Sequence, residues 1–269
     1  MKQIILFYLL CISTNIAFGG VDTVQVYSGA MDQTIPNLVI TPKDYTEQND
    51  ELPVIYLLHG AGGYFSNWFF RVPEIEQYAT DYNIIIVCPD GDKTSWYIDS
   101  PIDSTSQYES YITRELVPAI DQKYRTIKQK NGRAITGLSM GGHGAFYLAF
   151  RHQDIWGAAG SMSGGVNIIP FAEEWNMDEI LGPYHQFKKN WEDHTVINLI
   201  HLLNGDLKII FDCGTEDFFA DVNKELHEKL VIEGIPHEYT VRPGKHNWDY
   251  WRNSIKYHLL YFDDFFGRN

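Results

Sequence analysis

A serine near the middle of the chain lies in a G-x-S-x-G pentapeptide, residues 137–141, with Ser139 at its centre. Residues 133–136 before it are typical of a buried strand, and residues 142–151 after it are typical of a helix. A serine hydroxyl is a weak nucleophile unless a sharp strand-to-helix turn holds it beside a base. Glycines allow such a turn because they carry no β-carbon. The pattern therefore predicts that Ser139 is a nucleophile.

Two downstream loops contain the residue types that such a serine requires. His246 follows the last predicted strand, and Asp217 follows the strand before it. Loops at the carboxyl ends of parallel strands line the site in such sheets, so both side chains are expected near Ser139. The histidine would accept the serine proton, and the carboxylate would fix its tautomer and stabilise the imidazolium. Asp212, within the strand, and Glu216, adjacent in sequence, are rival acids.

A tetrahedral oxyanion would need two N–H donors. One is expected to be the backbone amide of Met140, directly after the serine, where the helix begins. The other is expected in the glycine-rich loop after the third predicted strand, residues 59–63, where the amide of Ala61 follows Gly60. Glycines let this backbone approach a ligand closely. The alternative is that they only form a turn.

The elements that must position these residues alternate between strands and helices. Several strands are continuous apolar runs, as expected for strands that are buried on both faces. The sequence therefore predicts an α/β fold, with a mostly parallel sheet covered by helices on both faces. Predicted strands span 24–28, 37–42, 54–58, 84–88, 133–136, 157–162, 208–213 and 238–241, and the main predicted helices span 106–124, 142–151, 221–233 and 251–266.

Two segments depart from a simple alternation. The helix predicted over 106–124 has one apolar face but contains Pro118, which indicates a kink or an early break. Residues 164–205 carry aromatic residues among charged ones, and they predict a small helical insertion before the penultimate strand, over or beside the site. A plain pair of connecting helices is the alternative.

Composition limits the class of protein. The chain has 269 residues, of which 44% are hydrophobic, and this suffices for one sizeable core, so residues 20–269 are interpreted as one domain. The net charge of −14 argues against nucleic acid and anionic membrane surfaces as partners. No C-x-x-C pair or histidine cluster indicates a metal site. Cys88 and Cys213, in separate apolar runs, are expected to be buried free thiols.

The first nineteen residues are typical of a secretory signal. Lys2 precedes an apolar stretch over residues 4–12, and Ala17 and Gly19 are the small residues of a cleavage site. The stretch is short for a transmembrane helix, and no second hydrophobic span follows it, so no membrane insertion is expected after its removal. An uncleaved anchor and a lipidated Cys11 are the alternatives. The sequence thus predicts a secreted or periplasmic protein.

The motifs together resemble the esterase D group of α/β-hydrolases, which includes S-formylglutathione hydrolases, tributyrin-type esterases, mycolyltransferases, and the feruloyl and acetylxylan esterases of carbohydrate esterase family one. The resemblance rests on residues 59–63, 137–142, 214–217 and 243–248, with further similarity at 95–97, 108–109 and 124–126, and it spans about 24–266. It implies an α/β-hydrolase fold, a triad of Ser139, Asp217 and His246, and oxyanion donors at Ala61 and Met140.

The expected function is that of a serine carboxylic-ester hydrolase that needs no cofactor or metal. The expected substrates are small-molecule or oligosaccharide esters, such as acetyl or feruloyl esters of carbohydrates. Trp96, Tyr97, Trp175 and Trp191 are candidates for stacking on a sugar or phenolic ring, with a core position as the alternative. Rival functions are a thioesterase of the S-formylglutathione type, an acyltransferase, and a non-catalytic carbohydrate-binding module.

Overall fold

The computed structural model describes residues 20–267, so the predicted signal segment and Cys11 lie outside the described residues. Within the described part, one sheet has the strand order β1-β2-β4-β3-β5-β6-β7-β8. β1 and β2 form an antiparallel hairpin, β2 pairs antiparallel with β4, and the remaining neighbours are parallel. The strands are β1 (Val21–Ser28), β2 (Gln33–Ile40), β3 (Val54–Leu58), β4 (Ile85–Pro89), β5 (Arg133–Gly137), β6 (Ala158–Met162), β7 (Lys208–Gly214) and β8 (Glu238–Arg242).

Helices connect the strands and cover the sheet on both faces. A π-helical turn over Tyr111–Leu116 joins α3 to α4. The mostly parallel sheet and its two helical layers confirm the predicted fold class. The helices are α1 (Asn67–Arg71), α2 (Ile75–Asp81), α3 (Tyr108–Ser110), α4 (Val117–Lys123), α5 (Met140–Arg151), α6 (Asp178–Leu181), α7 (Lys188–Asp193), α8 (Ala220–Ile232) and α9 (Trp248–Phe265).

The two-residue period of a strand divides the core into two layers. In β3, Val54, Tyr56 and Leu58 join the core beneath α3–α5 and α8, whereas Ile55 and Leu57 join the core beneath α1, α2 and α9. All five side chains are buried. Burying one such side chain fully stabilises a fold by about 1.5–3 kcal/mol, so a polar substitution at either face would be costly.

Several boundaries differ from the sequence prediction, and local contacts explain two of them. β2 begins at Gln33 rather than 37, since its first residues pair with β1, including Pro36 opposite Gln25. α9 begins at Trp248 rather than 251. The side chain of Asn247 accepts a hydrogen bond from the Tyr250 amide at 3.1 Å and caps the helix there.

Of the two alternatives predicted at Pro118, a kink or an early break, the early break is wrong. The chain stays helical through Pro118, which lies in the first turn of α4. A proline inside a helix lacks an N–H and clashes with the carbonyl four residues earlier. The wider π-helical turn over Tyr111–Leu116 precedes it and accommodates this mismatch without ending the helix.

The segment between β6 and β7 is helical, as predicted. It contains α6, α7 and short 3₁₀ turns. The indole N–H of Trp191 donates to the Gly182 carbonyl at 2.8 Å, which ties α7 to the end of α6. Nε2 of His143, on α5, lies 2.9 Å from the carbonyl oxygen of His194, so the insertion is anchored to the helix that follows Ser139.

The two cysteines of the described chain are free and buried, as predicted. Cys88 lies in β4 and Cys213 in β7, with three strands between them in the sheet. Burial raises the pKa of both thiols. None of the helices within residues 20–267 is both long enough and apolar enough to span a bilayer.

Acidification should destabilise the fold through His143. Burial lowers the pKa of this side chain from 6.5 to about 4. Between these values the unfolded chain binds a proton that the folded chain does not, so stability rises with pH. We expect the free energy of unfolding to fall by about 2 kcal/mol from this group between pH 7 and pH 5. Urea unfolding at both pH values would measure it.

The control for this prediction is His143→Gln, which keeps a polar side chain but cannot titrate. Its loss of stability between pH 7 and pH 5 should be smaller than that of the unchanged protein by about the same 2 kcal/mol. Equal losses in the two proteins would show that His143 contributes nothing to the pH dependence.

Candidate active site

Ser139 stands on a sharp turn between β5 and α5. Its backbone has φ 55° and ψ −119°, a conformation that costs free energy for a residue with a side chain. The turn is held because the Ser139 amide donates to the Met162 carbonyl at 2.9 Å. A β-carbon added at Gly141 would lie 2.6 Å from the backbone oxygen of His59, so this position requires glycine. The strain keeps the serine hydroxyl at the surface of a cleft.

His246 lies in the loop between β8 and α9, within hydrogen-bond distance of Ser139. Its Nε2 is 2.9 Å from Ser139 Oγ, and its Nδ1 is 2.9 and 3.0 Å from the two carboxylate oxygens of Asp217. A carboxylate only accepts, so Nδ1–H donates to Asp217 and the Nε2 lone pair accepts from the serine hydroxyl. The centroid of the Phe218 ring lies 4.2 Å from the centroid of the imidazole, so this ring restricts the rotation of the imidazole.

Asp217 is the acid that the fold brings to His246. It lies in the loop after β7, and its side chain is buried. The amide of Phe219 donates to Asp217 Oδ1 at 2.9 Å, which fixes the carboxylate. The resulting order of contacts, acid to histidine to serine, is the geometry of a nucleophilic triad.

The rival acids have other partners. Asp212 is buried, and one of its carboxylate oxygens lies 3.1 Å from His258 Nε2 and accepts from Ser254. Burial raises the pKa of this carboxyl, but the contacts with His258 and Ser254 and the charge of Arg242 together hold the pKa below its usual value. Glu216 is exposed and pairs with Lys245 at 3.5 Å. Neither carboxylate contacts the imidazole of His246 within the described chain.

Two backbone amides adjoin the serine. Met140 is the first residue of α5, and the first N–H groups of a helix have no partner inside it. Ala61 lines the cleft, and among residues 20–267 its amide has no hydrogen-bond acceptor. A β-carbon at Gly60 would lie 3.3 Å from the β-carbon of Ser139 and 2.5 Å from the Leu138 side chain, so the two loops touch.

His59 holds the peptide that carries the Ala61 amide. Its Nε2 accepts from the Gly91 amide at 2.9 Å, so the proton lies on Nδ1, which donates to the Gly60 carbonyl at 2.9 Å. In a trans peptide the N–H points opposite to the C=O, so the Ala61 N–H points away from His59. Burial lowers the pKa of His59 and keeps the ring neutral, as this arrangement requires. His59 was not among the residues predicted to act in the site.

An open cleft of about 760 Å³ lies above Ser139 and His246. Its walls combine aromatic rings with a few polar side chains, which suits a substrate with a flat or sugar-like part. Within the described residues, no group of three His, Cys, Asp or Glu side chains is placed to hold a metal ion. Besides Ser139 and His246, the lining comprises Gly60, Ala61, Gly62, Gly63, Tyr64, Asn67, Arg71, Lys93, Thr94, Leu138, Trp175, Phe218, Trp248 and Trp251.

Of the four aromatic residues predicted to bind substrate, only Trp175 lines the cleft. Trp96, Tyr97 and Trp191 are at most 2% exposed, so direct contact with a substrate is ruled out and that prediction is wrong for them. Trp96 and Tyr97 have φ of 53° and 59°, which turns both rings into the protein. The Tyr97 hydroxyl accepts from the His59 amide at 3.0 Å and so supports the glycine-rich loop instead.

Comparison with known proteins identifies relatives that match most of this chain. A family model described as a putative esterase matches residues 28–262. An esterase of Mycobacterium tuberculosis is 28% identical over 235 residues, which is 77% of this chain but 51% of that protein. The chain thus spans about half the length of that relative. An acetyl esterase of Caldicellulosiruptor saccharolyticus is 23% identical, covering 86% of this chain and 94% of the other.

Solved structures agree with this assignment. A ferulic acid esterase superposes with a TM-score of 0.79 at 27% identity, covering 93% of this chain and 100% of the other. An S-formylglutathione hydrolase of Staphylococcus aureus superposes with a TM-score of 0.80 at 21% identity, covering 91% and 98%. These findings confirm the resemblance seen in the motifs. The chain belongs to this esterase family and has the α/β-hydrolase fold.

Proposed function

We propose that the protein is a secreted serine carboxylic-ester hydrolase that works through an acyl-enzyme on Ser139. The observation that carries this proposal is the unbroken contact from Asp217 through His246 to Ser139 Oγ at the floor of an open cleft. Membership of an esterase family supports the same reaction class. Secretion rests on the signal predicted for the first nineteen residues.

The contacts suit a two-step acyl transfer. Ser139 Oγ attacks the ester carbonyl while His246 Nε2 takes its proton, and Asp217 stabilises the imidazolium. The amides of Ala61 and Met140 donate to the oxyanion, and one such donor is worth about 3 kcal/mol of transition-state stabilisation. His246 then protonates the leaving alkoxide. A water molecule, deprotonated by His246, attacks the acyl carbonyl and releases the acid with return of the proton to Ser139.

For substrates we propose acetyl or feruloyl esters of carbohydrates, or other short-chain esters. Trp175 and Phe218 stack at 5.9 Å between ring centroids on one wall of the cleft, and Trp248 and Trp251 lie on the lining with them. Aromatic faces suit sugar rings and phenolic acids because they bury a large rigid area. Relatives named as an acetyl esterase and a ferulic acid esterase support this class.

Three rival functions are less well supported. A structural neighbour is an S-formylglutathione hydrolase, but at 21% identity that likeness concerns the fold alone. The predicted export signal also argues against that cytosolic chemistry. An acyltransferase would use the same acyl-enzyme and pass it to a sugar hydroxyl instead of water. A non-catalytic carbohydrate-binding module would have no need for the contacts among Asp217, His246 and Ser139.

A panel of esters tests the proposed function. We expect turnover of acetyl, butyryl and feruloyl methyl esters, with a higher kcat/KM for the same acyl groups on oligosaccharides. The reason is that contacts between the sugar and the aromatic cleft can be used in the transition state. Initial rates for matched methyl and oligosaccharide esters measure the ratio.

Two outcomes of the panel would contradict the substrate class. Equal kcat/KM for methyl and oligosaccharide esters would show that the sugar contributes no binding free energy in the transition state. A clear preference for S-formylglutathione over every oxygen ester would favour the thioesterase instead. Failure to hydrolyse any ester would contradict the enzyme function itself.

A further inference from the structure

The charge of the cleft is opposite to that of the chain. The protein carries a formal net charge of −14. The cleft above Ser139, in contrast, is lined by Arg71 and Lys93 and by no aspartate or glutamate of the described residues. A positive cleft on a strongly negative protein is a local feature that attracts anions against the overall field.

Arg71 is held at the edge of the cleft with its charge available. It is the last residue of α1, and its carbonyl oxygen accepts from Nε and a terminal nitrogen of Arg252 at 2.9 and 2.6 Å. The guanidinium lies 5.9 Å from the centre of the Trp248 ring, a cation–π contact that directs it along the aromatic wall. Among residues 20–267, no carboxylate lies within 4.0 Å of this guanidinium.

Lys93 lies beside the glycine-rich loop that carries the Ala61 amide. Its carbonyl accepts from the Gly62 amide at 2.8 Å, so the two loops are joined at this point. Its ammonium group likewise has no carboxylate partner within 4.0 Å in the described chain. The nearby Asp90 is engaged elsewhere, because it accepts from the backbone amides of Phe65 and Asp92.

We infer that the cleft selects esters whose leaving group carries a carboxylate, which Arg71 and Lys93 bind. This inference rests on the proposed esterase function. The leaving group must carry the charge because the proposed acetyl and feruloyl acyl groups are neutral. Arginine fits a carboxylate with two parallel hydrogen bonds, and lysine adds a point charge. A uronic acid unit of an oligosaccharide and the thiol peptide of a glutathione thioester both supply this chemistry.

The test compares kcat/KM for a charged and a neutral ester of the same shape. Methyl 2-O-acetyl-glucuronoside and methyl 2-O-acetyl-glucoside differ in one carboxylate. The unchanged protein should prefer the glucuronoside by about 2- to 10-fold, the effect of one or two solvent-exposed ion pairs. The double variant Arg71→Gln/Lys93→Gln should bring the ratio close to one. Raising the salt from about 0.1 M to about 1 M should also reduce it, because charges are then screened.

Lys189→Gln is the matched control, since it removes one exposed positive charge on α7 that pairs with Asp193. It should leave the ratio unchanged. A ratio at or below one in the unchanged protein, or a ratio that the double variant does not alter, would exclude a sugar acid as the source of the carboxylate. Failure to hydrolyse both the glucuronoside and the glucoside ester would instead contradict the proposed function.

A second pair of substrates distinguishes the source of the carboxylate. S-acetylglutathione carries two carboxylates, whereas the S-acetyl derivative of N-acetylcysteamine carries none. The second ratio is kcat/KM for S-acetylglutathione divided by that for the N-acetylcysteamine thioester, and we call it the glutathione ratio. If the double variant lowers only the glutathione ratio, the anion belongs to a thiol peptide and the selectivity for anions stands. If it lowers only the glucuronoside ratio, the anion belongs to a sugar acid. If it lowers neither ratio, Arg71 and Lys93 do not select anions.

Discussion

Ser139→Ala should lower turnover of every ester substrate by about 10⁴- to 10⁶-fold, because the substitution removes the atom that forms the acyl-enzyme. The residual rate would come from binding and the oxyanion donors alone. The fold should persist, since alanine keeps the β-carbon and the loss of one oxygen on a turn creates little cavity. Turnover of an acetyl ester, with urea unfolding of the same sample, measures both expectations.

Ser66→Ala is a suitable control for that substitution. Ser66 precedes α1, is nearly buried, and its side chain makes no capping hydrogen bond. It is not part of the cleft lining. The control variant should keep nearly full turnover. Ordinary turnover by a folded Ser139→Ala protein would show that the nucleophile has been misassigned.

Asp217→Asn should lower turnover by about 10⁴-fold, as loss of the buried acid does in a serine protease triad. The asparagine amide would donate to His246 Nδ1 and so place the ring proton on Nε2. That nitrogen could then no longer accept the proton of Ser139 Oγ, which lies 2.9 Å away. The near-isosteric change should leave the loop after β7 in place. Turnover at saturating ester measures the effect.

Two neighbouring carboxylates provide the controls. Glu216→Gln changes an exposed side chain that pairs with Lys245, and it should cost little turnover. Asp212→Asn disturbs the buried contacts to Ser254 and His258, so it should lower stability more than turnover. The assignment of the acid would be wrong if Glu216→Gln were the severe variant and Asp217→Asn the mild one.

The sheet and the contacts of the triad were predictable because short sequence patterns determine the elements that form them. Continuous apolar runs such as Val54–Leu58 fit only strands that are covered on both faces. The strand–glycine–serine–helix pattern fixes a turn, and parallel strands bring the loops that follow them to one edge. Asp217 and His246 therefore meet Ser139 although 78 and 107 residues separate them in sequence.

The walls of the cleft were not predictable in the same way. Trp96 and Trp191 are of a residue type that is common in binding surfaces, but both are buried. The left-handed backbone of Trp96 turns its ring inward, and a hydrogen bond from the Trp191 indole to the Gly182 carbonyl holds Trp191 in the core. The direction of such a side chain depends on backbone angles, and the periodic pattern of hydrophobic residues in the sequence does not reveal these angles. Arg71 and Lys93 were missed because they line one cleft only when α1 and the loop after β4 are folded into place.

The most direct test of the proposed mechanism is to label the protein with a fluorophosphonate and to locate the adduct by peptide mass spectrometry. A reactive serine beside a histidine base should be modified once, on Ser139, with loss of ester hydrolysis in proportion to labelling. His246→Ala should slow the labelling strongly, because it removes the base. Full hydrolysis by a protein that remains unlabelled at Ser139, or an inactivating adduct on another residue, would contradict the account.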